Sequence, residues 1–314
     1  MKILKYIKII VLLITFSTSF AQTSKNGKVL ITGTRFTYPL VEKWISEFKI
    51  KYPDVEVKIL PRGLTTPESG NIVINAHKLL PNEIKQGYTT INITKYALLA
   101  VANANNPIIK EYAKGLKEKD IKDLFFEKDV LENNEKDKKK KNKFQPTIYT
   151  REQKACAPIT FASHYGFTQD NIIGKGISGD DKHLINAILK DSSGLTYNVP
   201  VFIYDLASRK VKPGIKVIPY DLNENGKLDA NENIYENLDE LITNLESEKN
   251  SAIPIEYVNI SYPKVINTEN NNLGLFINYI LNEGQKFNHQ FGFIEFDEKT
   301  LAKQKDILKT ATGN

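Results

Sequence analysis

The chain has 314 residues, of which 41% are hydrophobic, with 17 Gly, 13 Pro and a single Cys. This length exceeds what one hydrophobic core usually serves, so we expect two lobes. The apolar fraction excludes a disordered or collagen-like chain, and the lone cysteine excludes a disulfide framework and a Cys-rich zinc or iron–sulfur site.

The positive charge is mild and spread along the sequence. The formal net charge is +6, and three of the lysines lie in the first 21 residues, which leaves +3 for the rest. The most basic stretch, residues 136–143, is typical of a solvated loop, and a docking patch for an acidic partner is the alternative. We therefore expect no nucleic-acid partner.

The N-terminus has the pattern of an export signal. A basic segment at residues 1–8 precedes an uncharged apolar stretch at residues 9–20, and Ala21 ends a small-x-small cleavage pattern. The apolar stretch is shorter than the roughly 20 residues of a membrane span. The sequence predicts a signal peptide over residues 1–21 and a soluble periplasmic protein, with an uncleaved anchor as the alternative.

Alternating strand and helix patterns follow the signal. Residues 28–32, 38–52 and 55–60 read as strand, helix and parallel strand, because apolar residues of the middle segment recur at helical spacing. Further strands are predicted at residues 72–75, 97–102, 146–150, 199–204 and 216–220, and further helices at residues 118–125, 156–165, 182–189, 237–245 and 273–290. This order predicts an α/β protein with mainly parallel sheets flanked by helices.

Three of the four arginines directly follow predicted strands. Arg35, Arg62 and Arg151 do so, and Arg209 does not. Open α/β sheets bind ligands beyond the carboxyl ends of their strands, and a guanidinium can hold an oxyanion with two donors. A helix begins shortly after two of the three, which adds backbone donors. The pattern favours an anion site, and surface salt bridges are the alternative.

The C-terminal part of the sequence resembles a known family. Residues 275–296 (L-F-I-N-Y-I-L-N-E-G-Q-K-F-N-H-Q-F-G-F-I-E-F) resemble the closing helix and E-G-Q turn of the periplasmic phosphate-binding proteins of ABC importers, in the type II solute-binding superfamily. Residues 33–40 are similar to the first phosphate loop of that family. Residues 98–107 resemble its crossing strand and residues 116–125 one of its helices, so the likeness covers most of the mature chain.

The resemblance implies a monomeric, two-lobed, non-enzymatic protein that binds phosphate or a related oxyanion between its lobes for an ABC-importer membrane subunit. It implies a first lobe of residues 22–98 and 251–314, a second of residues 99–216, and an insertion with the return crossing at residues 217–250. The expected solute ligands, with backbone N–H groups acting at Phe36 and Ala157, are Thr34, Arg35, Phe36, Arg62, Thr150, Arg151 and Ala157.

The sequence departs from the family pattern at the phosphate loops. A Ser-Gly-Thr run follows the second-lobe Arg in the family, whereas residues 152–157 read E-Q-K-A-C-A here. A Ser-Gly loop of the first lobe is replaced by residues 62–65, and His77 aligns where the family often has Asp. These changes leave open another oxyanion or an anionic organic solute. They also leave open an exported, calcium-stabilised scaffold or interaction protein that kept the fold and lost or changed the solute site.

No catalytic set emerges from the sequence. Cys156 and His164 are eight positions apart, which places them only roughly on one helix face, and Ser163 lacks a nucleophile elbow. We interpret Cys156 as a buried, inert thiol and expect no enzyme activity.

Residues 221–232 match a calcium-binding loop. Oxygen-bearing side chains stand at loop positions 1, 3, 5, 9 and 12, Gly226 stands at position 6, and position 7 would bind through its backbone carbonyl. The preceding segment reads as a strand, so this is an isolated loop with a structural role. An Asx-rich turn that folds without metal is the alternative. The predicted calcium ligands are Asp221, Asn223, Asn225, Lys227, Asp229 and Glu232.

Overall fold

The computed structural model describes residues 28–61, 71–127, 144–247, 252–264 and 272–312. The predicted signal peptide, the Lys-rich stretch 136–143 and Arg62 lie outside these residues. Within the described ranges, no helix has both the length and the apolar composition that crossing a membrane requires.

The described residues form ten strands and nine α-helices in two lobes. The strands are β1 Val29–Gly33, β2 Val57–Ile59, β3 Asn71–Asn75, β4 Tyr88–Ala97, β5 Leu99–Asn103, β6 Thr147–Arg151, β7 Lys175–Ile177, β8 Gly194–Asn198, β9 Ile215–Val217 and β10 Ile255–Pro263. The helices are α1 Tyr38–Lys51, α2 Ile108–Glu111, α3 Glu118–Phe125, α4 Cys156–His164, α5 Asp181–Leu189, α6 Pro200–Ile203, α7 Leu238–Ser247, α8 Asn272–Tyr279 and α9 Glu298–Thr312.

Each lobe is built on one five-stranded sheet. The first has the order β2-β1-β3-β10-β4, and the second has the order β7-β6-β8-β5-β9. In the first sheet β10 runs antiparallel to both neighbours, and in the second β5 does so, while the other pairs are parallel. Four strands of each mixed sheet therefore point the same way. The predicted two-lobed α/β fold is confirmed.

The chain passes between the sheets at Leu98, the single residue between β4 and β5. It returns after α7, and the two passages lie side by side because the N–H of Leu98 donates to the carbonyl of Pro254 at 2.9 Å. Since β10 comes from the end of the chain, the first lobe is discontinuous in sequence, whereas every strand of the second sheet lies between residues 99 and 217.

Each lobe has its own aromatic core. In the first, Phe48 of α1 packs edge-on against Phe276 of α8, with ring centroids 5.0 Å apart. In the second, Phe161 of α4 stacks on Tyr197 of β8 at 4.3 Å. Burial of such large rings supplies much of the hydrophobic stabilisation of a lobe. The helices that begin at the predicted ligand loops, α1 and α4, are thus anchored in these cores.

Two of the predicted segments have a different structure. The apolar run predicted as a strand at residues 199–204 holds the short helix α6, because Pro200 suits a first helical turn and cannot donate to a sheet ladder. The helix predicted for residues 273–290 is α8 followed by a π-turn at Ile280–Gly284 and short 3₁₀ turns. There Nε2 of Gln285 donates to the carbonyl of Ile280 at 2.9 Å.

Candidate functional site

The predicted loops of the two lobes touch. Gly33 ends β1 at a φ of +123°, and a Cβ there would lie 2.0 Å from the carbonyl oxygen of Ile74, so only glycine fits. The next residue, Thr34, places its hydroxyl 2.9 Å from the sulfur of Cys156, the first residue of α4. The carboxyl end of β1 in the first lobe therefore faces the start of a second-lobe helix.

Arg35 also reaches across the cleft. Its guanidinium forms an ion pair with Asp180, the N-cap residue of α5. Phe36 is only 1% exposed, and its ring packs 4.8 Å from that of Tyr96. Its side chain belongs to the core, so Phe36 could bind a solute only through its backbone.

Arg151 ends β6 and is buried, with 8% of its surface exposed. Its Nη1 donates to Asp181 at 3.1 Å, and its Nε has no hydrogen-bond partner among the described residues. Burial raises the pKa of Asp181, and the adjacent guanidinium opposes that rise. The neighbouring Thr150 shares a 2.7 Å hydrogen bond with the hydroxyl of Tyr197, so its side chain is already engaged.

The start of α4 contains Ala157, the last of the expected solute ligands. Ala155 is its N-cap residue and offers no side-chain cap, while Ala157 is buried in the first turn. The first N–H groups of a helix have no intrahelical partner and carry a partial positive charge. This end of α4 can therefore accept negative charge in the cleft.

His77, which aligns with an Asp of the resembled family, lies at the same point. Its Nδ1 is 3.1 Å from the sulfur of Cys156, and its Nε2 is 3.1 and 3.2 Å from the two carboxylate oxygens of Glu83. The hydrogen bond to Cys156 raises the pKa of His77 to about 9, with a further contribution from Glu83 and an opposing effect of burial. The interpretation of Cys156 as a buried thiol is wrong in one respect, because the residue is only half-buried, and His164, the histidine considered as its partner, lies at the far end of α4.

The structure brings Thr34, Arg35, Arg151 and the start of α4 to one cleft, together with two acids that the sequence analysis missed. Asp180 and Asp181 open α5, and each pairs with one of the arginines. The paired acids before a predicted helix were the available signal. Arg209 lies elsewhere, where it binds Asp239 and the carbonyls of His289 and Gln290.

The predicted calcium loop is closed by its two terminal acids, which are 0% and 1% exposed. Asp221 accepts the N–H groups of Asn225 and Gly226 at 3.0 and 2.7 Å. Glu232 accepts those of Leu222, Asn223 and Asp229 at 2.9 to 3.2 Å. Gly226 has a φ of +83°, the left-handed conformation that favours glycine at this position.

Oxygen atoms and one lysine surround the middle of this loop. The Nδ2 atoms of Asn223 and Asn225 both donate to Asp229. Nζ of Lys117 donates to the carbonyl of Glu224 and lies 3.6 Å from Asp221. The described residues contain no group of three or more His, Cys, Asp or Glu side chains placed to hold a metal. A calcium ion here would thus also need amide and backbone oxygens.

Three solved structures share this fold across most of their length. A protein assigned as a phosphate ABC transporter substrate-binding protein from Clostridium perfringens, with bound phosphate, has a TM-score of 0.60 at 19% identity, over 86% of this chain and 100% of its own. An ABC-type phosphate transport receptor from Vibrio cholerae has a TM-score of 0.55 at 13% identity, over 86% and 100%. A possible phosphate binding protein from Planctomyces limnophilus has 0.52 at 13%, over 91% and 99%.

Neither a protein-family model nor a curated protein matches the sequence. The structural likeness establishes the fold that the sequence resemblance implied.

Proposed function

We propose that this chain is an exported solute-binding protein that holds phosphate or a related oxyanion between its lobes and delivers it, as a monomer, to an ABC importer. The proposal depends most on the unpaired donor of Arg151. This buried guanidinium leaves Nε without a partner among the described residues, at the carboxyl end of β6. A buried donor left unpaired costs about 1–3 kcal/mol, which an oxyanion at that point would recover.

The other donors of the cleft converge on the same region. Thr34 and Arg35 follow β1 in the first lobe, and the backbone N–H groups of Cys156 and Ala157 begin α4 in the second. A solute bound by both lobes would stabilise the closed arrangement, as in hinge closure around a ligand. Arg62, which the sequence resemblance also implies as a ligand, lies outside the described residues.

The two acids at the start of α5 compete with the solute for the arginines and so lower its affinity. Asp180 holds Arg35 and Asp181 holds Arg151. An incoming oxyanion must replace or share these carboxylates, so its affinity is the difference between two sets of charge-assisted hydrogen bonds. The altered phosphate loops, rather than this competition, keep related oxyanions among the candidate solutes.

The same contacts favour a second candidate function, that of an exported scaffold. Two Arg–Asp pairs and the Thr34–Cys156 contact close the cleft with the chain's own groups. Such contacts are expected in a protein that no longer binds a solute and keeps its cleft closed with its own side chains. The two functions differ in a single measurable property, the affinity of the cleft for anions.

A structural calcium ion completes the proposal. Asp221 and Glu232 are buried carboxylates that accept backbone N–H groups, and Lys117 lies 3.6 Å from Asp221. Buried charges are normally paired or bound to a metal, and calcium would add to these partners. Calcium takes six to eight oxygens, which the side chains of Asp221, Asn223, Asn225, Asp229 and Glu232 and the carbonyl of Lys227 could supply. The ion would stabilise the link between α7 and the second sheet.

The experiment is calorimetric titration of residues 22–314 with phosphate, in calcium and then in chelator. We expect one-to-one binding that is lost in Arg151→Ala, while calcium affinity is unchanged. Lys154→Ala is the matched control, because it also removes one positive charge, but from an exposed side chain in the loop that follows Arg151. Anion affinity that persists in Arg151→Ala would contradict the site, and absence of any anion binding would favour the scaffold.

A further inference from the structure

The side chains of Cys156, His77 and Glu83 form a cluster that the proposed solute-binding role does not use, since that role takes only the backbone N–H of Cys156. The sulfur of Cys156 is 3.1 Å from Nδ1 of His77 and 3.4 Å from the backbone nitrogen of Ala76, both in the opposite lobe. The hydroxyl of Thr160 on α4 donates to the carbonyl of Ala76 at 3.1 Å, which fixes this segment against the helix. The thiol and imidazole are therefore held together by their surroundings.

Glu83 fixes the orientation of the imidazole. Its oxygens lie 3.1 and 3.2 Å from Nε2 of His77, and the N–H of Leu80 donates to the same carboxylate at 2.8 Å. The carbonyl of His77 accepts Nδ2 of Asn259 at 3.2 Å. With Nε2 facing a carboxylate, Nδ1 is directed at the sulfur. This is the arrangement of nucleophile, proton carrier and orienting acid that activates thiols.

The groups around the sulfur suit its ionised form. The N–H of Ala76 can only donate, and Nδ1 of His77 lies 3.1 Å from the sulfur, a contact that raises the pKa of His77 to about 9 and so favours the imidazolium. Cys156 is also the first residue of α4, a nine-residue helix whose N-terminal end favours negative charge. Thiolates next to an imidazolium and a helix N-terminus are the reactive form of cysteine.

We propose that Cys156 is a nucleophilic thiolate that small hydroperoxides oxidise to a sulfenic acid, with His77 as proton donor and Glu83 as its positioning residue. The sulfur attacks one peroxide oxygen, so an S–O bond forms and the O–O bond breaks. Sulfur loses two electrons and the peroxide gains them. The departing hydroxide of hydrogen peroxide, or the alkoxide of an organic hydroperoxide, takes the Nδ1 proton of His77, which leaves water or an alcohol, neutral His77 and Cys156 as S–OH.

Two features favour a hydroperoxide over other electrophiles. The sulfur has contacts with Thr34, Ala76 and His77, so only a small reagent can approach it. A peroxide also needs a proton on its leaving oxygen, and Nδ1 of His77, 3.1 Å from the sulfur, is the adjacent group that could supply one. Iodoacetamide needs no such proton, because iodide leaves as an anion. The two reagents therefore separate activation of the thiolate from proton donation.

The test measures thiol loss in the mature chain at pH 7 with excess hydrogen peroxide, and in parallel with iodoacetamide. Because the sequence contains one cysteine, the signal comes from Cys156 alone, and trapping of the sulfenic acid with a carbon nucleophile followed by mass spectrometry identifies the product. We expect the folded chain to react with peroxide about 100-fold faster than the chain unfolded in urea, the low end of general acid–base effects.

Variants assign the roles. His77→Gln should slow the peroxide reaction by about 100-fold and alkylation by less, since it removes the proton donor as well as the counterion. Glu83→Gln should move the NMR titration of the His77 ring to lower pH, which a merely structural role would not do. His164→Gln, on the same helix as Cys156, is the matched control and should leave both rates unchanged.

Three results overturn the proposal: a folded-state peroxide rate no higher than that of the unfolded chain, an unchanged rate in His77→Gln, or peroxide and alkylation rates that fall equally in that variant. Circular dichroism of each variant serves as the control that it is folded. None of these measurements uses phosphate, so they are independent of the solute-binding role.

Discussion

The indole N–H of Trp44 donates to the carbonyl oxygen of Gly284 at 2.8 Å, although the two residues are 240 positions apart. Trp44 lies in the middle of α1 and is 1% exposed, and Gly284 ends the π-turn that follows α8. A Cβ at Gly284 would lie 3.0 Å from the indole nitrogen. This contact ties the first helix of the chain, which begins at the anion loop, to the C-terminal segment.

Trp44→Phe should lower the free energy of unfolding by about 1–3 kcal/mol, because it leaves the buried carbonyl of Gly284 without its donor. Urea denaturation monitored by circular dichroism measures the change. Lys49→Ala, an exposed position of the same helix, should change stability by less than about 0.5 kcal/mol. An equal effect of the two substitutions would show that the indole hydrogen bond contributes nothing.

Asp180→Asn should increase phosphate affinity about tenfold, which corresponds to about 1.4 kcal/mol. The substitution removes the carboxylate that competes with the anion for Arg35, and asparagine is also favoured at the N-cap position that this residue holds in α5. Calorimetric titration measures the change. Asp170→Asn is the control, because that acid is 74% exposed and pairs with Lys154 instead. Unchanged affinity in Asp180→Asn would mean that Arg35 does not bind the solute.

Calcium should raise the melting temperature of the wild-type chain, and Glu232→Gln should abolish the rise. An ion that binds only the folded state adds about 2.7 kcal/mol at 100 times its dissociation constant. Lys227→Ala should keep the effect, since position 7 would bind through its backbone carbonyl. Thermal unfolding in calcium and in chelator measures all three proteins, and a wild-type melting temperature insensitive to calcium would exclude the site.

His77 should titrate near pH 9 in the folded chain, against 6.5 for an unperturbed histidine. Because the folded pKa is the higher one, its interactions stabilise the fold fully below about pH 6.5, and this stabilisation is lost as the pH rises through about 9. The difference in unfolding free energy between wild type and His77→Gln should shrink over that interval. NMR titration locates the midpoint, and a value near 6.5 would show that the cysteine contact does not stabilise the imidazolium.

Local pattern predicted most of the fold. Helix α3 was expected at residues 118–125 and lies at Glu118–Phe125, since its apolar residues recur at a helical period and acids occupy its first turn. The strand predicted at residues 199–204 is wrong, because a short apolar run that contains Pro200 fits a buried strand or a short helix equally well. Strand β4, with polar residues at many positions, gave no clear period and was missed.

The candidate site was predictable only in part. Strand ends located Arg35 and Arg151, because a sheet brings its carboxyl ends to one edge. Their pairing with Asp180 and Asp181 depends on how α5 packs against β6, which no spacing reveals. The contact between Cys156 and His77 joins residues 79 positions apart in different lobes, so only the three-dimensional fold could place them together.

The position of β10 affects the order in which the lobes can form during synthesis. The second sheet is complete once residue 217 has left the ribosome, whereas the first remains split between β3 and β4 until residues 255–263 are inserted between them. Domains generally fold as units once their chain is available. The second lobe can therefore fold while the first still exposes unpaired strand edges, and a nascent chain that stops before β10 retains one lobe without a partner to close on.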